Sequence, residues 1–284
     1  MNRSWSLPRL RSSTLVLYGT LTVLAIIWLV PTVTVLMTAL RPFAEIRGGW
    51  WNLADATFSL RNFAAAWGEA QLGQKMLNSV IITGFSVAST VSIGALAAYA
   101  FVRLEFRLRG ALYFLLISTM IVPVQIILIP LLPWFRTLGF DQGTWQPFLG
   151  VVLVHTAFGL GWAIFMMGGF MASVPRELSE AGQIDGASHF GIFRHIVLPL
   201  ALPGVVSFAI IDFVFVWNDL LFGLTLLGQE HQPLTVGIAN LQSAHLARQD
   251  VISAGAVLAI VPPLALFVLL NRYYVRGLFA GGVK

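Results

Sequence analysis

Long apolar runs dominate the chain, and polar residues gather between them. The runs cover about 14–40, 75–101, 110–135, 146–172, 203–227 and 251–273. Each is long enough for the roughly 20 residues that a helix needs to cross the hydrocarbon core of a bilayer. None carries the strict alternation of a half-buried strand, so the pattern predicts an all-α, polytopic membrane protein with six transmembrane helices. The connecting segments are 41–74, 102–109, 136–145, 173–202 and 228–250. Pro123, Pro130 and Pro133 predict a bent third span, and Pro31, Pro262 and Pro263 fall inside others. Each proline removes a backbone donor, which neighbouring helices must replace.

Composition agrees. Of 284 residues, 57% are hydrophobic and 10% are charged, with a mean hydropathy of +0.83. A soluble domain carries about 25% charged residues, so this surface needs lipid as its solvent. Cysteine is absent, which excludes disulfides, thiol nucleophiles and thiolate metal sites. The net charge of +5 is spread in short clusters beside the apolar runs. Nucleic acid is therefore not an expected partner, and the clusters fit the flanks of membrane spans.

Arg3, Arg9 and Arg11 precede a first run far longer than a cleavable leader's apolar core, predicting a retained span. Six spans put both termini on one side. Placing that side in the cytoplasm leaves 11 Lys and Arg inside against 6 outside, as the positive-inside bias requires.

Segment 173–202 is the longest inside connection, yet it is patterned. Pro175 suits the start of a helix, and Glu177 and Glu180 complement its dipole. Leu178, Ala181 and Ile184 make one narrow apolar face. Gly186 breaks the helix, and Ile192, Phe193, Ile196 and Val197 begin a second amphipathic stretch. Small residues at Ala181, Gly182, Gly186 and Ala187 admit the close approach of another backbone. On periodicity alone, a helix lying on the membrane surface fits as well as a docking element.

Spacing then carries a resemblance. Glu180-Ala181-Gly182, Gly186, Ile196 and Leu198-Pro199 resemble the Glu-Ala-Ala loop of ABC importer permeases, with Gly182 replacing the usual second alanine. Asp185-Gly186-Ala187, Asn78-Ser79, Arg103-Leu104-Glu105-Phe106, Trp217-Asn218-Asp219 and the stretch from Arg272 to Lys284 look like the carbohydrate-uptake branch. Within it the chain is similar to the smaller membrane subunit of maltose-type transporters. The resemblance implies a segment 1–74 holding the tail, first span and a periplasmic loop, and a permease core 75–284. It implies a coupling helix between spans 4 and 5, with Glu180, Ala181, Gly182, Asp185, Gly186 and Ala187 against an ATPase.

The implied partners are two ATPase subunits, a second homologous permease subunit, an extracytoplasmic solute-binding protein and the lipid of a bacterial inner membrane. ATP and Mg belong to the partner ATPase. No cofactor is expected on this chain, which has lysine only at 75 and 284 and no Gly-x-x-x-x-Gly-Lys-Ser/Thr phosphate loop. It is thus expected not to be an enzyme. By position in the family, Asn240, Gln242, Ser243 and His245 are candidates for a binding-protein loop. Gly281, Gly282, Val283 and Lys284 are candidates for a second ATPase contact, against the simpler reading of a frayed end.

Polar residues at membrane depth give candidates for a translocation path for a sugar-like solute: Asn78, Gln125, Asp212, Trp217, Asn218 and Asp219. Trp217 offers a ring on which sugars stack, and Asp212 and Asp219, seven apart, are expected near one helix face. Hydrogen bonding between helices accounts for them equally well. His155 fits a bonded bundle histidine better than a ligand, and no His, Asp and Glu spacing predicts a metal. The rival function is an ion- or proton-coupled carrier using Asp212 and Asp219; no two-half repeat supports it. A membrane-embedded hydrolase lacks a carboxylate and histidine motif at a membrane boundary.

Overall fold

A computed structural model describes residues 12–54, 56–244 and 248–280. The first apolar run is helix α1 (Ser12–Leu40). The segment after it holds two short helices, α2 (Phe43–Ile46) and α3 (Arg61–Ala64), the latter running into a π-helical turn at Ala65–Glu69. The second run is α4 (Leu72–Arg103).

The third run is not one helix. It splits into α5 (Arg109–Ser118), a 3-10 turn at Thr119–Ile121, and α6 (Val124–Thr137), with 103° between the two limbs. The break falls at Pro123, which disfavours helical backbone in the residue before it; Val122 is extended, with φ −75° and ψ 120°. Pro130 and Pro133 lie within α6 and do not interrupt it. The expected bend is therefore real but sharper than a kink, and one proline makes it.

Helix α7 (Gln146–Ser173) follows, then α8 (Arg176–Ile184) and α9 (His189–Ile192), whose end passes through a π-helical turn at Phe193–Val197. The fifth run also differs from expectation. Its helix, α10 (Leu198–Trp217), starts earlier and stops ten residues short, and a separate α11 (Leu221–Leu226) completes it. The segment 228–250 is not an open loop, because α12 (Leu234–Ala244) fills it and packs on α4 and on the last helix, α13 (Gln249–Ala280).

Among the described residues five helices are long and apolar enough to cross a membrane, or six if the bent α5–α6 pair counts as one crossing. Helices α4, α7 and α10 form the centre. Gly94 lets α4 and α7 close: a Cβ there would lie 2.5 Å from the Ala163 Cβ. Small residues at a crossing let membrane helices approach and gain dispersion contacts. Ala98, Met167, Met171, Val197 and Phe208 complete that core. By contrast, only 6% of the most apolar stretch of α1 is buried within the chain, against 44% for α7. Helix α1 leans on α13 and leaves most of its surface to lipid or to another chain.

Candidate functional site

At one end of the bundle, residues 174–199 fold into a projecting elbow. Pro175 lies just before α8, in extended backbone, and Glu177 occupies the first turn. Three backbone bonds close the helix: Asp185 N–H to Ala181 O, Gly186 N–H to Gln183 O (3.0 Å), and Ala187 N–H to Gly182 O (2.9 Å). The last two make a Schellman ending, which requires left-handed backbone at the residue after the cap. Gly186 supplies it with φ +79°. Two residues on, the Ser188 hydroxyl accepts the Gly191 N–H at 3.2 Å and caps α9. The chain thus stops one helix and starts another within four residues, which fixes the elbow's angle.

The elbow's two sides are sorted by size. Ser179 and Gly182 face the protein and are buried. Gly182 rests on the turn that follows α9: a Cβ there would meet Ile196 Cδ1 at 2.9 Å and Ile192 Cγ1 at 3.3 Å. Its small size therefore serves the chain's own packing, where the sequence suggested close approach by another protein. Glu180, Ala181, Asp185, Gly186 and Ala187 are exposed, and Leu178 and Ile184 stand out with 43% and 87% of their surface free. Behind the elbow, the Arg103 guanidinium at the end of α4 donates to the carbonyls of Met171 (3.0 Å) and Val174, tying α4 to the last turn of α7. Sequence reading missed this tether. Its only signal was a basic residue closing a span.

The candidate path residues do not share one open surface. Asn78 is buried and donates to the carbonyls of Glu230 (2.8 Å) and Gln232 (3.0 Å). With Ser79 accepting the Leu234 N–H and Lys75 donating to Gln229 O, it clamps segment 229–234 onto α4. Trp217 is also buried, lying flat on Phe213 with ring centroids 5.7 Å apart. Its indole N–H donates to Ala259 O at 3.0 Å. Ala259 is four residues before Pro263, so proline removes that carbonyl's helical donor and Trp217 replaces it. The ring expected to stack on sugar is instead a strut between α10 and α13.

Asp219 lies past the end of α10 and does not share a helix with Asp212, contrary to the seven-residue argument. Its carboxylate accepts the N–H groups of Phe222 (3.3 Å) and Gly223 (3.0 Å) at the start of α11, with the imidazole of buried His155 3.8 Å away. Asp212 is buried in α10, where it meets Thr90 of α4 beside Gly159 of α7. Gln125 and Asn218 are exposed, the latter bonding back to Val214 O.

Asn240 and Gln242 are exposed on α12, and Asn240 donates to Gln232. Ser243 is in the same helix, its side chain outside the described residues. His245 and the tail Gly281, Gly282, Val283 and Lys284 also lie outside them. Among the described residues no three His, Asp or Glu side chains come together as a metal site would need.

Comparison with known proteins adds what the geometry leaves open. The model of a family described as "Binding-protein-dependent transport system inner membrane component" matches residues 90–279. The chain is 36% identical over 269 residues to an osmoprotective compounds uptake permease of Synechocystis sp., spanning 92% of this chain and 89% of the relative. It is 36% identical to the melibiose/raffinose/stachyose import permease of Bacillus subtilis, spanning 90% of this chain and 91% of that one. Among solved structures, a chain of a bacterial ABC transporter that imports the acidic polysaccharide alginate superposes with a TM-score of 0.78. It covers 94% of this chain and 100% of its own length at 20% identity, a likeness of fold.

Proposed function

This chain belongs to the family of binding-protein-dependent transport system inner membrane components, and from that premise we propose how it works within a sugar importer. It is the membrane-spanning permease subunit of an ATP-binding-cassette importer for a sugar or related polyhydroxylated solute. The substrates for which its relatives are named support that class: melibiose, raffinose and stachyose for one, alpha-glucosides for another. The ion-coupled carrier has no support, because its two aspartates sit in separate elements and the family depends on a binding protein.

The observation that carries the mechanism is the elbow. A nine-residue helix, α8, rests on the bundle through Ser179 and Gly182 and turns Leu178, Ala181 and Ile184 outward. An apolar face at the tip of a basic membrane end suits a partner better than water. We place it against a separate ATPase subunit, with Glu180 and Asp185 at the rim of the contact. Two such ATPases, a second permease against the bare surface of α1, and an extracytoplasmic binding protein at the α12 end complete the assembly. Both termini then lie in the cytoplasm. ATP and Mg would be held by the ATPase, whose closure pushes α8 and, through the π-helical turn and α10, alters the membrane helices.

The test is co-purification of the tagged chain expressed with its neighbouring genes, alongside ATP-driven uptake in vesicles. Wild type should bring down a P-loop ATPase. Gly186→Trp should insert normally, since nothing lies within 4 Å of that position, but strain the left-handed turn by about 1–2 kcal/mol and uncouple uptake. Wild type purifying without any ATPase would remove this assignment.

A further inference from the structure

A groove of about 850 Å³ opens between the end of α4, the start of α5 and the C-terminal part of α7. Its rim is cationic and its walls are apolar. Arg109 and Arg176 stand at the rim, and Tyr113, Phe165 and Met166 line the wall. Neither arginine forms an ion pair among the described residues, although Glu105 and Glu177 are close in sequence. Arg176 lies near enough to Arg103 for their charges to repel, and Glu177 is near enough to offset part of this, so Arg103, Arg109 and Arg176 against one carboxylate leave this end of the groove net positive.

The two arginines are also the first residues of α5 and α8, and neither helix start has a side-chain cap. Uncapped N–H groups and the positive helix end favour an anion at the same place. Along α7 the groove runs from Ser173 to Ile164, roughly 14 Å at the helical rise. That is close to half of the roughly 30 Å hydrocarbon core, the depth of one leaflet.

We infer that this groove is a binding site for an anionic phospholipid, with the headgroup phosphate between Arg109 and Arg176 and an acyl chain against Tyr113, Phe165 and Met166. Charge complementarity selects this occupant: a purely apolar helix would bury two unpaired guanidinium groups, whereas a lipid phosphate pairs them. A lipid there also sits beside the first turn of α8, so its presence bears on how the elbow is seated. Naming the leaflet as cytoplasmic rests on the orientation proposed above; the site itself does not.

The assembled transporter, purified from membranes, would be labelled with phosphatidylglycerol carrying a photoactivatable group near the acyl terminus. Label is expected on the α5 and α7 peptides of this chain, displaced by unlabelled phosphatidylglycerol but not by phosphatidylcholine or inorganic phosphate. Gly169→Trp should abolish it, because Gly169 lines the groove, a Cβ there meets no atom within 4 Å, and a large side chain has the open groove to occupy. Gly169→Leu serves if the tryptophan prevents insertion. Arg109→Gln should weaken binding roughly fivefold, the effect of one basic residue near an anionic lipid. Equal displacement by phosphatidylcholine, displacement by inorganic phosphate, undiminished label in the Gly169 variants, or label only on a partner permease would each overturn the site. Labelling is read on the chain itself, so those outcomes leave the importer assignment standing.

Discussion

Replacing Gly182 separates two reasons for a small residue in the elbow. If it is small because another protein docks there, any side chain should harm coupling. If it is small because α8 rests on Ile192 and Ile196, the outcome depends on size. For Gly182→Ala, helix propensity improves by roughly 1 kcal/mol. Against that, the new Cβ would lie 2.9 Å from Ile196 Cδ1 and 3.3 Å from Ile192 Cγ1. The nearer atom is the tip of a flexible, half-buried side chain and yields by a rotamer shift; Ile192 is fully buried and does not. The two terms nearly cancel, so the alanine variant should transport within about twofold of wild type, a difference under roughly 0.5 kcal/mol. Gly182→Leu adds three more carbons to the same place, and overpacking costs about 1–3 kcal/mol. The strain falls first on α9 and the turn after it, whose Ile192 and Ile196 meet the new carbons. The leucine variant should therefore insert with normal thermal stability of the bundle while α8 lifts off its seat. ATP-driven uptake in vesicles should fall severalfold, and less ATPase should co-purify. Loss of uptake in the alanine variant, or normal uptake in the leucine variant, would refute the packing argument.

Trp217→Phe should keep the stack on Phe213 but leave the Ala259 carbonyl without a donor, destabilising the purified chain by about 1–2 kcal/mol in thermal denaturation with solute preference unchanged. A changed solute preference would restore Trp217 to the path. Asp212→Asn should retain ATP-driven uptake, since no ion pair holds Asp212 among the described residues and its neighbours Thr90 and Gly159 are neutral. Dissipating the proton gradient in ATP-loaded vesicles should leave uptake unaffected; a collapse would revive a proton-coupled role. In the segment after α1, Glu45 is held below the usual carboxylate range, first by the Thr57 hydroxyl, then by the Thr57 amide and Arg41. A lowered folded pKa makes this contribution present above the unfolded value of about 4.3 and lost as pH falls through the folded one. Protection of the amides across residues 43–57, taken relative to their intrinsic exchange at each pH, should thus fall in acid below the unfolded value of about 4.3, and Glu45→Gln should show low protection at every pH.

The sequence by itself determined the solvent, the all-helical class and the break between two helices at the elbow. These are local properties: twenty apolar residues in a row cannot face water, Gly186 cannot be replaced cheaply at a left-handed turn, and Pro175 marks a helix start beside itself. The segment 228–250 was legible only as a long connection, because the surface that α12 covers lies on α4 and α13. Tertiary structure alone decided what each polar residue at membrane depth is for. Asn78 bonds a carbonyl 152 residues away, Trp217 one 42 residues away, and Asp219 faces a histidine on α7. Such pairs leave no periodic trace, since either partner is an ordinary polar residue until packing sets the distance. The same holds for Gly182, whose spacing fits a docking motif while its neighbour is the chain's own Ile196. The hydrophobic pattern chose the helices, and the demand that every freed backbone group in lipid find a partner chose how they meet.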